Sequence, residues 1–126
     1  MKNSLIQLTV AALFIPSVAL AASPIQSITK EWTYKHINTG VAGQISEISA
    51  YDAITNTIWV AGAVGVDVLN ASNGSLVQHI NISNFGAINS VAIKNGLAAF
   101  AIESSTRANA GIVQFYDTSS RALAMV

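Results

Sequence analysis

A four-residue sequence recurs in this chain. The tetrapeptide Lys-His-Ile-Asn at 35–38 returns as Gln-His-Ile-Asn at 78–81, which is 43 residues later, and the same offset aligns Ile48 with Val91. Repeats of about 40–50 residues that are built from short strands are typical of β-propeller blades. The repeat therefore predicts an all-β chain that holds about two four-stranded antiparallel blades of an incomplete wheel.

Turn residues divide each copy of the repeat into strands. Asn95-Gly96 is the clearest of them, because this dipeptide is a strong signal for a tight hairpin. Blade one is predicted over about 45–82, and blade two over about 88–126, where the chain is expected to end within a truncated fourth strand. The predicted strands lie near 45–51, 57–62, 65–70 and 75–82, and then near 89–94, 97–103 and 111–117.

The segment at 31–37 alternates between polar and apolar residues, so it predicts a further strand. By the repeat it corresponds to the last strand of a blade, and we expect it to complete the final blade and close the ring. Residues 22–30 form a short leader before it. A lipocalin-like barrel and an immunoglobulin-like sandwich are the alternative folds, but neither explains a 43-residue unit.

The N-terminus has the pattern of a secretory signal peptide at 1–21. Lys2 supplies the positive charge, an apolar stretch follows, and Ala-Leu-Ala at 19–21 matches a cleavage site. The alternative is a membrane anchor, but about 12 apolar residues are too few to cross a bilayer, which needs about 20. The pattern resembles bacterial signals and predicts a secreted, periplasmic or cell-surface protein, with no stable membrane span after cleavage.

Composition excludes several classes of function. The chain has no cysteine, so it can form no disulfide and no thiolate metal site. Its formal net charge is zero, and it contains no basic patch of the kind that binds nucleic acid. Only 10% of the residues are charged, whereas 52% are hydrophobic. This balance favours strands that are covered on both faces by the remaining blades of a larger wheel.

Two stretches resemble the choice-of-anchor I propeller proteins. The first comprises the runs at 45–52, 58–61 and 66–69, and the second is the run at 80–97, where Asn-Ser-Val-Ala is followed by Lys-Asn-Gly. The resemblance covers about residues 30–120. It implies an exported or surface-displayed bacterial propeller with a C-terminal anchor that varies between members. Some members have been labelled alkaline-phosphatase-like, but the resemblance transfers no catalytic residue.

The loop inserted in the second copy contains the best candidates for a ligand-binding site. Glu103 follows an apolar strand, and Arg107 lies in the loop, which suggests a binding face displayed by a rigid β scaffold. The alternative is a solvated carboxylate that pairs with the arginine. His36 and His79 occupy equivalent repeat positions, and we expect their strands to be too far apart to share a metal.

No catalytic, metal-binding or cofactor-binding residue is predicted. Glu47 and Asp52 flank the first inner strand, where ordinary strand-edge and turn roles explain them, and no G-x-S-x-G nucleophile elbow is present. The predicted function is a binding or scaffold module with an unknown surface ligand or partner. The alternatives are the N-terminal part of a phosphoesterase- or lactonase-type hydrolase, with its active site mostly in other blades, and a truncated product without function.

Overall fold

The computed structural model describes residues 27–106 and 108–125, and it shows an all-β chain. Two four-stranded sheets follow one another along the sequence, and in each sheet every strand pairs antiparallel with the next. The first sheet contains β1 (Ser46–Asp52), β2 (Thr57–Gly62), β3 (Gly65–Asn70) and β4 (Leu76–Asn81). The second contains β5 (Gly86–Lys94), β6 (Leu97–Ser104), β7 (Ile112–Asp117) and β8 (Leu123–Met125). The prediction of two blade-like sheets is confirmed.

Hairpin chemistry sets the strand boundaries. Asn95 and Gly96 both have positive φ, 51° and 79°, as a two-residue turn with primed geometry requires. Lys94 pairs with Leu97 directly across this turn. The Asn-Gly hairpin expected from the sequence is therefore formed.

The repeat is also visible in the backbone of the turns between the last two strands of each sheet. Gly74 in the first sheet has a φ of 71°, and Arg121 at the equivalent position in the second has a φ of 58°. Both donate a backbone N–H bond of 2.8 Å to the carbonyl four residues earlier, on Asn70 and on Asp117. The two units thus share a turn conformation even where their residues differ.

The core lies between the two sheets. β5 contacts β1 and β2, and the inward side chains of both sheets meet there. Trp59 is fully buried, with its ring centroid 5.9 Å from that of Phe100, which in turn stacks on Tyr116 at 4.8 Å. Aromatic rings bury large areas and prefer offset contacts. Trp59 therefore packs between the sheets, as a blade arrangement predicts.

The segment at 31–37 does not form the predicted strand. Residues 27–35 have no regular secondary structure, and a short 3-10 helix follows at His36–Thr39. The indole N–H of Trp32 donates to the Ala71 carbonyl at 3.0 Å, which ties the segment to the first sheet. Side-chain contacts with that sheet replace a strand ladder, and the ring-closing role of the segment stays a prediction.

The predicted signal peptide at 1–21 and residues 22–26 of the leader lie outside the described residues. Within the part of the chain that the structure describes, no helix has the length and apolar character needed to cross a bilayer. The division of the chain into leader, closing segment and two blades remains a prediction.

Candidate functional site at Asp67

The structure places one of the two predicted ligand-binding residues. Glu103 is exposed near the end of β6, and its Oε2 accepts a bond of 3.1 Å from the Asn89 amide. Together with Asn89 and Val113 it lines a cavity of ≈360 Å³. Arg107 lies outside the described residues. The pairing of Glu103 with Arg107 and their role in binding remain predictions.

Asp52 closes the turn after β1. The buried carboxylate accepts bonds from the backbone N–H groups of Ile54 and Thr55, and from the Thr55 hydroxyl. Burial, the largest single influence, would raise the pKa of Asp52, but the bonds from the Thr55 hydroxyl and from the backbone of Ile54 and Thr55 outweigh it and lower that pKa. Asp52 thus has the turn role expected of it. Glu47 is exposed in β1.

The two histidines meet on one carboxylate. His36 Nδ1 lies 2.7 Å from Asp67 Oδ2, and His79 Nδ1 lies 2.6 Å from Asp67 Oδ1. The expectation that they are far apart is therefore wrong. The two rings lie close together because the N-terminal segment (residues 31–37) packs on the first sheet. It does not extend to another blade here.

The strand register positions Asp67 beside His79. Asp67 lies in β3 directly opposite His79 in β4, so both side chains are on the same face of the sheet. The Asp67 side chain is 0% exposed. A Cβ atom at Gly65 would lie 2.4 Å from the Ile80 carbonyl oxygen and 2.7 Å from the His79 imidazole, so glycine at this position makes room for both.

The N-terminal segment supplies His36 from above this face. His36 Nε2 contacts the hydroxyl of Ser46, the first residue of β1. Tyr34 packs edge-on against the His36 ring, with a centroid distance of 5.6 Å. Ser46, His36 and Asp67 therefore form one continuous chain of side-chain contacts.

Two polar atoms near Asp67 are buried without a hydrogen-bond partner among the described residues: the Tyr34 hydroxyl and His79 Nε2. Burial, and after it the negative charge of Asp67, raises the pKa of Tyr34. The phenol therefore stays protonated at neutral pH. It remains a hydrogen-bond donor with unused capacity.

A cavity of ≈630 Å³ opens beside these groups, on the face of the first sheet that points away from the second. Its polar lining includes Tyr34, His36 and Ser46. Its apolar lining is Ile48, Ile58, Val60 and Leu69. Such a mixture of an apolar wall and a few convergent polar groups is typical of small-molecule sites.

The part of the chain that the structure describes contains no cluster of metal-ligating side chains. In residues 27–106 and 108–125, no group of three or more His, Asp or Glu side chains is placed to hold a metal ion. Both oxygens of Asp67 are occupied by the two imidazoles.

Sequence reasoning missed Asp67, Ser46 and Tyr34 as site residues. One signal was present, because Asp67 interrupts the apolar run Val-Asp-Val-Leu at 66–69, and buried carboxylates require partners. The repeat offers a second signal, since the equivalent position in the other copy is Gln114, which is also fully buried. No sequence pattern pointed to Ser46.

Two meandering antiparallel sheets that pack face to face, together with the 43-residue repeat, are consistent with successive blades of an incomplete β-propeller. A family model described as the choice-of-anchor I domain matches residues 47–126. The chain therefore belongs to the choice-of-anchor I family, which marks it as a cell-surface-associated, exported or surface-anchored protein. No curated protein and no solved structure shows significant similarity to it.

Proposed function

We propose that this protein is a bacterial binding or scaffold module that is exported by a cleaved signal peptide and acts at the cell surface or in the periplasm. The observation that carries the proposal is the family match over residues 47–126. The Ala-Leu-Ala motif at 19–21 supports export through signal cleavage. Rigid sheets that display polar loops are a common basis for binding.

The loop after β6 is the proposed binding face. Glu103 is exposed near the end of β6 and lines the ≈360 Å³ cavity, and Arg107 follows it four residues later in the sequence. The side chain of Glu103 is already oriented by the Asn89 amide. A carboxylate held in this way can accept hydrogen bonds from a sugar or peptide of the cell envelope.

The test uses full-length protein recovered from the exported fraction and isolated cell envelopes as the probe. We expect its N-terminus to begin at Ala22 or Ser23, and the protein to co-sediment with the envelopes. The double variant Glu103→Gln, Arg107→Ala should weaken co-sedimentation at least about tenfold, because losing a charged partner typically costs more than 1.4 kcal/mol.

Glu31→Gln is the matched control, since Glu31 is also an exposed carboxylate but lies in the N-terminal segment. It should bind envelopes like the wild type. Retention of Met1 in the folded product would contradict export. Equal binding by the double variant and the wild type would contradict a binding face at this loop.

A further inference from the structure

Ser46, His36 and Asp67 have the connectivity of a nucleophile, a general base and an orienting acid. The Ser46 hydroxyl contacts His36 Nε2, and the other ring nitrogen, Nδ1, lies 2.7 Å from Asp67 Oδ2. This arrangement of nucleophile, base and acid recurs on unrelated folds, and it is recognised by geometry rather than by sequence position. The absence of a nucleophile elbow from the sequence is therefore no obstacle.

With Asp67 ionised and both rings neutral, the hydrogen bonds fix the tautomer of each imidazole. An ionised carboxylate only accepts, so each imidazole donates to Asp67 through Nδ1. A neutral His36 then has a free lone pair on Nε2, which can accept the Ser46 proton. His79 holds the second oxygen of Asp67 at 2.6 Å and keeps the buried carboxylate in place.

The surroundings provide room for an acyl substrate. Ser46 is exposed at the edge of the ≈630 Å³ cavity, whose wall of Ile58, Val60 and Leu69 suits a short apolar acyl chain. The pairing of β1 with β2 shifts register between Ser46 and Ile48. Such bulges are frequent beside active sites, because they re-aim a side chain.

The half-buried Tyr34 is the candidate donor for the oxyanion. Tyr34 lines the same cavity, and its hydroxyl has no hydrogen-bond partner among the described residues. Preorganised donors of this kind stabilise the negative charge that develops on a carbonyl oxygen during acyl transfer.

We propose that this chain carries an esterase-type site in which Ser46 is the nucleophile, His36 the general base and Asp67 the residue that orients it. Ser46 Oγ forms a bond to the ester carbonyl carbon while its proton passes to His36 Nε2. The carbonyl–alkoxy bond then breaks, and the leaving alcohol takes that proton. Water attacks the acyl-serine in the same way and releases the acid. The proposed site differs from a hydrolase centre in other blades, because all its residues lie in this chain.

The experiment uses the full chain, a fluorophosphonate probe and p-nitrophenyl butyrate. Peptide mass spectrometry should find the phosphonate on Ser46, and the ester should be hydrolysed above the buffer rate. Ser46→Ala should abolish both, and His36→Gln should slow phosphonylation by at least about 100-fold, the usual contribution of a general base. Ser119→Ala, at an exposed serine in the β7–β8 turn, is the matched control and should behave as the wild type.

Circular dichroism and a thermal scan verify that both variants fold, so that loss of labelling reports chemistry. An unlabelled Ser46 in folded wild-type protein overturns the proposal, and so does a wild-type labelling rate in His36→Gln. Ser46→Ala should still bind cell envelopes, so the esterase proposal can fail while the proposed binding function stands. Likewise, loss of envelope binding in the Glu103, Arg107 double variant would leave labelling of Ser46 unchanged.

Discussion

At the scale of the residue, two buried aspartates of the first sheet serve different purposes. Asp52 is satisfied locally, by the turn that follows it in the sequence. Asp67 is satisfied by side chains 31 and 12 residues away. The first kind of contact forms as soon as the turn forms. The second exists only after the strands have paired and the N-terminal segment has docked.

The hydrogen bonds of Asp52 make part of the stability depend on pH. Its pKa in the folded protein lies below its ordinary value of 3.8. A carboxylate of this kind contributes stability that is fully present above the unfolded pKa and is lost as pH falls through the folded pKa.

We therefore expect the urea midpoint of the wild type to fall on acidification below about pH 4, the usual range for an unfolded aspartate. Asp52→Asn should be less stable at pH 7 and should lose less of its remaining stability in acid. Thr55→Val removes one of the bonds and should lie between them. If the urea midpoints of all three proteins fell in parallel with decreasing pH, this role of Asp52 would be contradicted.

At the scale of the element, the N-terminal segment is attached to the first sheet at two points. His36 reaches Asp67 at one end, and Trp32 covers the β3–β4 turn at the other. The Trp32 ring lies over Gly74, where an added Cβ atom would collide with it. Gly74 also has a φ of 71°, which disfavours any residue with a side chain.

Gly74→Ala should therefore destabilise the protein for two reasons, and a double-mutant cycle separates them. The backbone cost alone is about 1 kcal/mol. The clash with the Trp32 ring adds to this backbone cost, and Trp32→Ala should remove the part of the cost that comes from the clash. Gly40→Ala is the matched control, because Gly40 also has a φ of 71° but has no atom near the position of a Cβ.

Chemical denaturation of the four proteins of the cycle measures the coupling. We expect Gly74→Ala to cost more than Gly40→Ala in the wild-type background. In the Trp32→Ala background its cost should fall toward that of the control. An unchanged cost would show that Trp32 does not cover the turn in solution.

At the scale of the whole molecule, the two sheets differ in how their outward faces are covered. The N-terminal segment packs over part of the outward face of the first sheet. On the second sheet, Leu97, Val113 and Met125 are 40–60% exposed. Ala99 and Phe115 pair with each other on the same face. A continuous exposed apolar face promotes association.

We expect residues 22–126, expressed alone, to fold but to self-associate into oligomers. Charge at the centre of the exposed face should reduce this, so Val113→Lys should shift sedimentation toward the monomer and sharpen the thermal transition. Ile28→Lys is the matched control, because Ile28 is 89% exposed but lies in the leader, away from the second sheet in the sequence. A soluble wild-type monomer with a cooperative transition would contradict the prediction and favour a closed barrel or sandwich.

The sequence by itself determined the strands of the two sheets, the turns between them and the repeat. Turn residues such as Asn95 and Gly96 act through their own backbone preferences, and strand alternation reflects the pleat, so both can be read locally.

The tertiary structure alone decided where the segment at 31–37 lies and which side chains meet at Asp67. The segment has the alternation of a strand, but its Trp32 and His36 side chains bond to the first sheet. The Ser46–His36–Asp67 arrangement joins three separate parts of the chain. Such a site depends on strand register and on docking of the segment, and neither of these is encoded in the spacing of the residues along the sequence.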